Sequence, residues 1–263
     1  MKEPMRKRKA APFLSALVIA SASVAAATPT PEDLVTARAV FLAHQAIGGL
    51  HSAAGGCPTS GRGVVDVAAL FAEAKQPAPE GATVDGWGRA LLAWCDGAQW
   101  AVISKGADGL LSDACAAMPP AGPCGDDFAM LDEQRVFLPP NVQQAMEAGR
   151  QKRTMADMRS VAMVFEAYRV DNNALPGGPT TGFVPVETIR GAVQPVYIRE
   201  LPVQDAWGQP IWIWSDGTHY RIVSAGKDGE MDADYATTPG SGATTSVDSD
   251  IVIADGQFTQ QPA

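Results

Sequence analysis

The sequence predicts an α+β fold of two tandem units. Each unit is a long N-terminal helix packed on a small antiparallel β-sheet, and each carries a long Asp-rich loop. Three observations predict this. The stretch "DGWGRALLAWCDGAQWAVISKGADG" (Asp85 to Gly109) aligns without a gap on "DAWGQPIWIWSDGTHYRIVSAGKDG" (Asp205 to Gly229). Asp85, Trp87, Gly88, Trp94, Asp96, Gly97, Ser104, Gly106, Asp108 and Gly109 meet Asp205, Trp207, Gly208, Trp214, Asp216, Gly217, Ser224, Gly226, Asp228 and Gly229 at a constant offset of 120. That self-similarity reads as one structural unit written twice. Apolar residues also recur at helical spacing ahead of each copy. The second copy holds two alternating runs across an Asp-Gly, the pattern of a β-hairpin, and the first follows the same order.

Residues 1–27 come first. A basic cluster from Arg6 to Lys9 precedes an apolar run densest from Phe13 to Ala20, and Ala25-Ala26-Ala27 closes it. These are the three regions of a secretory signal peptide. The core is short for a spanning helix, which favours cleavage over a retained membrane anchor.

Residues 28–140 form the first unit. Thr30-Pro31-Glu32-Asp33 supplies an N-cap, a first-turn proline and first-turn acids. The helix after it carries Leu34, Ala37, Phe41, Ile47 and Leu50. Val64 to Lys75 reads as an extra helix. The W-G hairpin and its loop follow, and Asp126 to Phe137 completes the unit. Pro139-Pro140 ends it, with Asn141 as N-cap of the next helix.

Residues 141–263 form the second unit. Met155, Met158, Val161, Ala162, Phe165 and Tyr168 give an amphipathic helix over 141–172. "DNNALPGG" stops it. A short helix or extended piece is expected near Val186–Tyr197. "PIWIW" and "HYRIVS" pair across Ser215 to Thr218. A loop runs from Ala225 to Asp250, and Asp250 to Phe258 supplies a last short strand.

The chain carries a formal net charge of −9. Loss of residues 1–27 removes five cations and one anion and leaves −13. An acidic chain without a basic stripe is a poor nucleic-acid binder. The acidity gathers in the two aspartate loops, so a cation is the better partner. All four cysteines lie in the first half. An even count in an exported chain reads as disulfides. Three pairings exist. A local Cys115–Cys124 bridge inside the first loop is expected, which leaves Cys57 with Cys95. No C-x-x-C pair or histidine at ligand spacing supports zinc.

The second unit resembles a known family. The motifs are a helix ending "MRSVAMVFEAYRVDNNALP", the lead-in "YIRELPVQDAWGQPIWI", the strand "YRIVSAGKDG" and the segment "DSDIVIADGQF". Together they resemble the C-terminal domain of the major pseudopilin (GspG-type) of type II secretion systems, over roughly 142–260. The first unit resembles it only through the internal repeat. Family members open on a prepilin leader, a glycine before "FTLIE" and a long apolar helix, and no such leader is recognisable here. The resemblance implies a calcium-binding loop held by Asp228, Asp248 and Asp250, with a carbonyl near Ala225 and Asp232 in reserve. Calcium takes six to eight hard oxygen ligands at about 2.3–2.6 Å, and carboxylates at both ends of a Gly/Ser/Thr loop suit it. The spacing is not that of an EF-hand. The first loop keeps Asp108, Asp126 and Asp127 but adds two cysteines, so a disulfide is expected to clamp it where calcium clamps the second.

Other features weigh less. Trp87 and Trp207 are expected to pack on the long helices. Trp212 and Trp214, with Tyr220, are read as core rather than as an aromatic binding patch. His44 and His51 lie seven apart on one helix face, read as packing or surface. No nucleophile–base motif, phosphate loop or catalytic carboxylate pair emerges. The reading is a non-enzymatic, exported structural or assembly protein whose partners are other secretion-system or envelope proteins. The alternative is a soluble periplasmic or extracellular calcium-stabilised binding or adhesion module. Membrane contact is expected only if the N-terminal apolar segment is retained.

Overall fold

A computed structural model describes residues 28–54, 63–95, 99–131, 135–240 and 242–263. The expected signal segment, Cys57 and the Asp96-Gly97 turn lie outside these residues. The fold is α+β, with one long helix on each of two sheets.

In chain order the first sheet and its helices are α1 (Pro31–Ala54), β1 (Val65–Asp66), α2 (Val67–Glu73), β2 (Leu92–Cys95), β3 (Trp100–Ser104), α3 (Asp113–Ala116), β4 (Phe128–Met130) and β5 (Val136–Phe137). The strands lie in the order β1-β2-β3-β4-β5, all antiparallel. The second sheet follows with α4 (Pro140–Asn172), β6 (Val184–Pro185), a 3-10 turn (Val186–Ile189), α5 (Arg190–Val193), β7 (Trp212–Ser215), β8 (Tyr220–Ser224), β9 (Gly242–Thr244), β10 (Ile251–Ala254) and β11 (Gln257–Pro262). Its order is β6-β7-β8-β10-β11-β9, with β9 parallel to β11.

The α1 helix starts as its sequence dictates. Thr30 Oγ1 accepts from the Asp33 N–H at 3.1 Å, and Asp33 Oδ2 accepts from the Thr30 N–H at 2.8 Å. This is a reciprocal cap. The α4 helix differs from expectation. Pro139 is its N-cap and Pro140 its first residue, and Asn141 lies inside it. The Asn141 amide instead reaches Asp33 Oδ2 at 3.1 Å, because two prolines already set the backbone for helix entry. Val142 is buried in the first core, so the start of α4 belongs to both layers. Asn173, in the left-handed region at φ 51°, ends α4.

Both cores are built alike. Val40, Ala43 and Ile47 of α1 cover the first sheet, and Met158, Val161 and Phe165 of α4 cover the second. The expected extra helix near Val64 begins as a strand, since Val65 and Asp66 pair with β2. Its counterpart is the β6 segment. The Val67 N–H donates to Leu91 O at 2.8 Å, as the Val186 N–H does to Ile211 O at 2.8 Å. No residue pattern announced that equivalence.

One turn repeats atom for atom. Asp85 Oδ1 accepts from the Trp87 and Arg89 N–H groups at 3.0 and 2.8 Å, and Oδ2 from the Ser104 hydroxyl at 2.9 Å. Asp205 does the same with Trp207, Gln209 and Ser224 at 3.0, 2.9 and 2.7 Å. The next N–H, of Gly86 or Ala206, donates to Thr36 Oγ1 at 2.8 Å or Thr154 Oγ1 at 3.0 Å on the long helix. All six of these Asp, Ser and Thr side chains are buried. Trp87 and Trp207 thus hold the same place in the two turns.

One strand expectation is corrected. Asp250 to Phe258 is not one short strand but a hairpin, β10 and β11, turning at Asp255-Gly256 with φ of 46° and 84°. Two successive positive φ values are what a tight two-residue hairpin turn needs. Asp126 to Phe137 likewise yields two strands, β4 and β5. Tyr220 faces Phe165 on the helix side of its sheet, with ring centroids 4.7 Å apart, whereas Trp212 packs on the opposite side with Val223 and Val252. No shared aromatic patch forms among these three.

Asp205→Ala leaves the Ser224 hydroxyl and two N–H groups without their acceptor. Loss of a buried acceptor of this kind costs about 2–3 kcal/mol. The expected result is a lower urea midpoint for the second unit, whereas substitution of exposed Asp234 shifts it little.

Candidate metal centre

Each loop starts where a strand ends in a buried serine, Ser104 of β3 or Ser224 of β8. Two residues on, a glycine lets the loop's two ends cross. Gly106, at φ 58°, has the Asp126 carbonyl oxygen 2.0 Å from where a Cβ would stand, and Gly226, at φ 63°, has the Asp248 carbonyl oxygen 2.4 Å away. Only glycine fits such an approach.

Three carboxylates converge in the first loop. Oxygens of Asp108, Asp126 and Asp127 lie within 4.8 Å of one another, a group suited to hold a metal ion. Backbone N–H groups orient each of them. Asp108 Oδ1 accepts from Leu110 N at 2.7 Å, Asp126 Oδ2 from Asp108 N at 3.1 Å, and Asp127 Oδ2 from Ser112 N at 2.8 Å. Asp127 is 1% exposed, yet its Oδ1 has no hydrogen-bond partner. Burial pushes the Asp127 carboxyl up; the Ser112 bond opposes this, and the Asp126 and Asp108 charges add to it. A buried, unpartnered carboxylate oxygen beside two further carboxylates offers hard oxygen donors of the kind a metal cation takes. Arg89 lies alongside and donates to the Gly106 and Ala107 carbonyls. The second unit has neutral Gln209 at this position.

The second loop is arranged otherwise. Asp232 and Asp250 meet: the Asp232 N–H donates to Asp250 Oδ2 at 2.7 Å, and the Asp250 N–H to Asp232 Oδ2 at 3.4 Å. Asp250 is fully buried, and its Oδ1 has no hydrogen-bond partner. Asp228 is exposed and accepts from Glu230 N at 3.0 Å. Asp248 is exposed too, and its carbonyl rather than its carboxylate faces Gly226. Ala225 is buried and its carbonyl accepts from Gly229 N at 3.2 Å. Among the described residues, no group of three mutually close carboxylates includes Asp228, Asp248 or Asp250.

Strand pairing explains the contrast. Phe128 pairs with Ser104 and Ile251 with Ser224, so Asp127 corresponds to Asp250 and Asp126 to Ser249. The second loop thus has serine where the first has its middle carboxylate. Asp248 was expected as a ligand, with Asp228 and Asp250, because the resemblance to the pseudopilin family implies it. Sequence reasoning had no means of seeing Ser112, whose N–H holds Asp127. The adjacent pair Asp126-Asp127 directly before a strand was the available signal.

Further contacts anchor the loops. Cys115 and Cys124 form a disulfide with Cα atoms 5.4 Å apart. Cys95 is disulfide-bonded, and its expected partner Cys57 lies outside the described residues. Lys227 Nζ lies 3.1 Å from Glu147 Oε1, and the Trp207 indole N–H donates to Glu147 Oε2 at 2.7 Å. Burial raises the Glu147 carboxyl, but the Trp207 and Lys227 bonds outweigh it and hold the group below its ordinary value. The rings of His44 and His51 lie beside Trp100, with centroids 5.4 and 4.8 Å away, and His44 Nε2 is 3.1 Å from Leu131 O.

Burial, together with the charges of Asp232 and Asp228, pushes Asp250 up to about 6, against the lowering effect of the Asp232 N–H and Tyr235. In chelator the folded chain therefore holds this proton more tightly than the unfolded chain. The group's contribution to stability is fully present below about pH 4 and is lost as pH rises through about 6. Asp250→Asn is expected to be more stable than wild type in chelator at pH 7, and equal to it near pH 4. Urea midpoints across that range check both.

Residues 141–238 match the model of the family described as type II secretion system (T2SS), protein G. No curated protein and no solved structure matches the chain. The matched family is a structural pseudopilin family rather than an enzyme family. Over these residues, from the start of α4 into the second aspartate loop, the chain is similar to type II secretion system protein G.

Proposed function

We propose that the chain is an exported, non-enzymatic structural or assembly component related to the pseudopilins of type II secretion. Its partners are other components of that system or of the envelope. The similarity of residues 141–238 to protein G carries this reading. The repeated Asp–Ser–Thr bonding supports extending it to residues 28–140 as a diverged copy of the same unit. Among the described residues no helix is long and apolar enough to cross a membrane. A retained N-terminal apolar segment is the route by which the chain would be anchored. Deletion of the gene is expected to trap type II substrates inside the cell, and assay of the culture medium tests this.

In this reading calcium closes the loops. In the first, Asp108, Asp126 and Asp127 would hold the ion, with backbone carbonyls completing its shell. In the second, Asp250 and Asp228 would do so, with Asp232, Asp248 and the Ala225 carbonyl as further oxygen donors. The ion supplies charge neutralisation and a cross-link between the loop ends. The protein supplies buried oxygens that no donor satisfies.

A second reading is a soluble binding module. It draws on an apolar groove of about 590 Å³ between α1, β5 and the start of α4, lined by Val40, Phe41, Met130, Val136, Leu138 and Met146. Normal secretion in the deletion strain would favour it.

Calcium at a hundredfold excess over Kd is expected to stabilise the chain by about 2.7 kcal/mol for each loop it fills. Magnesium should do less, since it demands a tighter octahedron and dehydrates reluctantly. Thermal melting in chelator, calcium and magnesium measures the effect. The combined variant Asp126→Asn and Asp250→Asn should melt at one temperature in all three.

A further inference from the structure

We infer that the Cys115–Cys124 disulfide is a positioning element of the first loop's cation site and sets its affinity. This rests on the reading of Asp108, Asp126 and Asp127 as cation ligands.

The chain of contacts closes on itself. Asp127, the buried ligand, is held at both ends. Its carboxylate Oδ2 accepts from the Ser112 N–H at 2.8 Å, and its own N–H donates to the Cys124 carbonyl at 3.1 Å. Ser112 is the N-cap of α3, and its carbonyl accepts from Cys115 N at 3.1 Å and Ala116 N at 2.8 Å. The disulfide then joins Cys115 to Cys124. The donor that aims the carboxylate and the carbonyl that places its backbone are therefore covalently tied.

That tie has work to do. A helix of four residues does not hold its own shape in water, because nucleation costs more than so few bonds return. Cys115 and Cys124 are both buried in a small cluster with Ile103 and Ala129 on the sheet face away from α1. Besides the bridge, Leu111, Ala114 and Met118 pack on this cluster, and the Ala121 N–H donates to Ala114 O at 3.4 Å; the bridge is the covalent link among these contacts. The second loop shows the alternative. There the N–H that meets the buried carboxylate comes from Asp232, which also accepts a bond back from Asp250. No disulfide is involved. The two loops solve one problem, presenting a buried carboxylate at a fixed angle, by different means.

Groups that orient metal ligands without touching the metal typically change affinity by about 10–100-fold. The test is isothermal titration of the purified chain with calcium alone, in an Asp250→Asn background that silences the second loop. The double variant Cys115→Ala/Cys124→Ala should weaken calcium at least about tenfold, with the Cys95 disulfide untouched. Ser112→Pro is the second variant. Ser112 has φ −65°, which proline adopts, so it removes the N–H, together with the hydroxyl that accepts from Cys115 N at 3.4 Å, while keeping the disulfide. It should weaken calcium similarly. Tryptophan fluorescence checks that each variant remains folded. Unchanged affinity in the double cysteine variant, or in Ser112→Pro, overturns the inference and leaves the cation site standing. Absence in the parent of any calcium binding that Asp126→Asn abolishes overturns the cation reading itself.

Discussion

One buried aspartate organises each unit. Asp85 and Asp205 hold a turn with one carboxylate oxygen and a strand end with the other. Threonines of α1 and α4 bind the next N–H. Helix, turn and the strand that launches the loop are thereby fixed to one another at a single point. Everything downstream inherits this frame, because the serine that the aspartate grips is the last residue of β3 or β8. A buried carboxylate is costly unless hydrogen-bonded, and each of these two aspartates accepts three bonds.

From that frame a long loop must leave and return to the next strand. Closing it costs chain entropy, and at both mouths a glycine lets the outgoing chain pass close against a carbonyl of the returning one. The two loops diverge beyond it. The first combines a disulfide, a short helix and three converging carboxylates. The second adds a strand, β9, along β11, and pairs Asp232 with Asp250. The sequence reading assigned one clamp to each loop, a disulfide to the first and calcium to the second. In the structure the converged carboxylates and the disulfide share the first loop. These are complementary rather than redundant, since a covalent tie limits the loop's freedom but does nothing for carboxylates that repel one another.

The long helix of the second unit does more than cover a sheet. Its first turn sits on the first core through Val142 and reaches Asp33 through Asn141. Glu147, one turn on, takes Trp207 and Lys227 and so ties the second turn and loop to the same helix. The two sheets are therefore linked through α4, which starts at its N-cap Pro139 and first residue Pro140.

The sequence by itself determined what local chemistry controls. Helical spacing placed α1 and α4, alternation across Asp-Gly placed the second hairpin, and the repeat at a constant offset placed the two turns in one register. Close spacing in the chain also made the Cys115–Cys124 pairing readable. Tertiary structure decided which distant side chains meet. Asp126 rather than Asp248 stands in a carboxylate group because antiparallel pairing puts Asp126 and Ser249, not Asp248, at matching places before β4 and β10. The equivalence of β1–α2 with β6 and its short helices, and the roles of Thr36, Thr154 and Ser112, were equally hidden. Each is a single hydrogen bond across many residues, and such a bond leaves no periodicity behind. Position along the chain sets which residues a loop contains, but only the register of the strands that bound it sets which of their oxygens share one space.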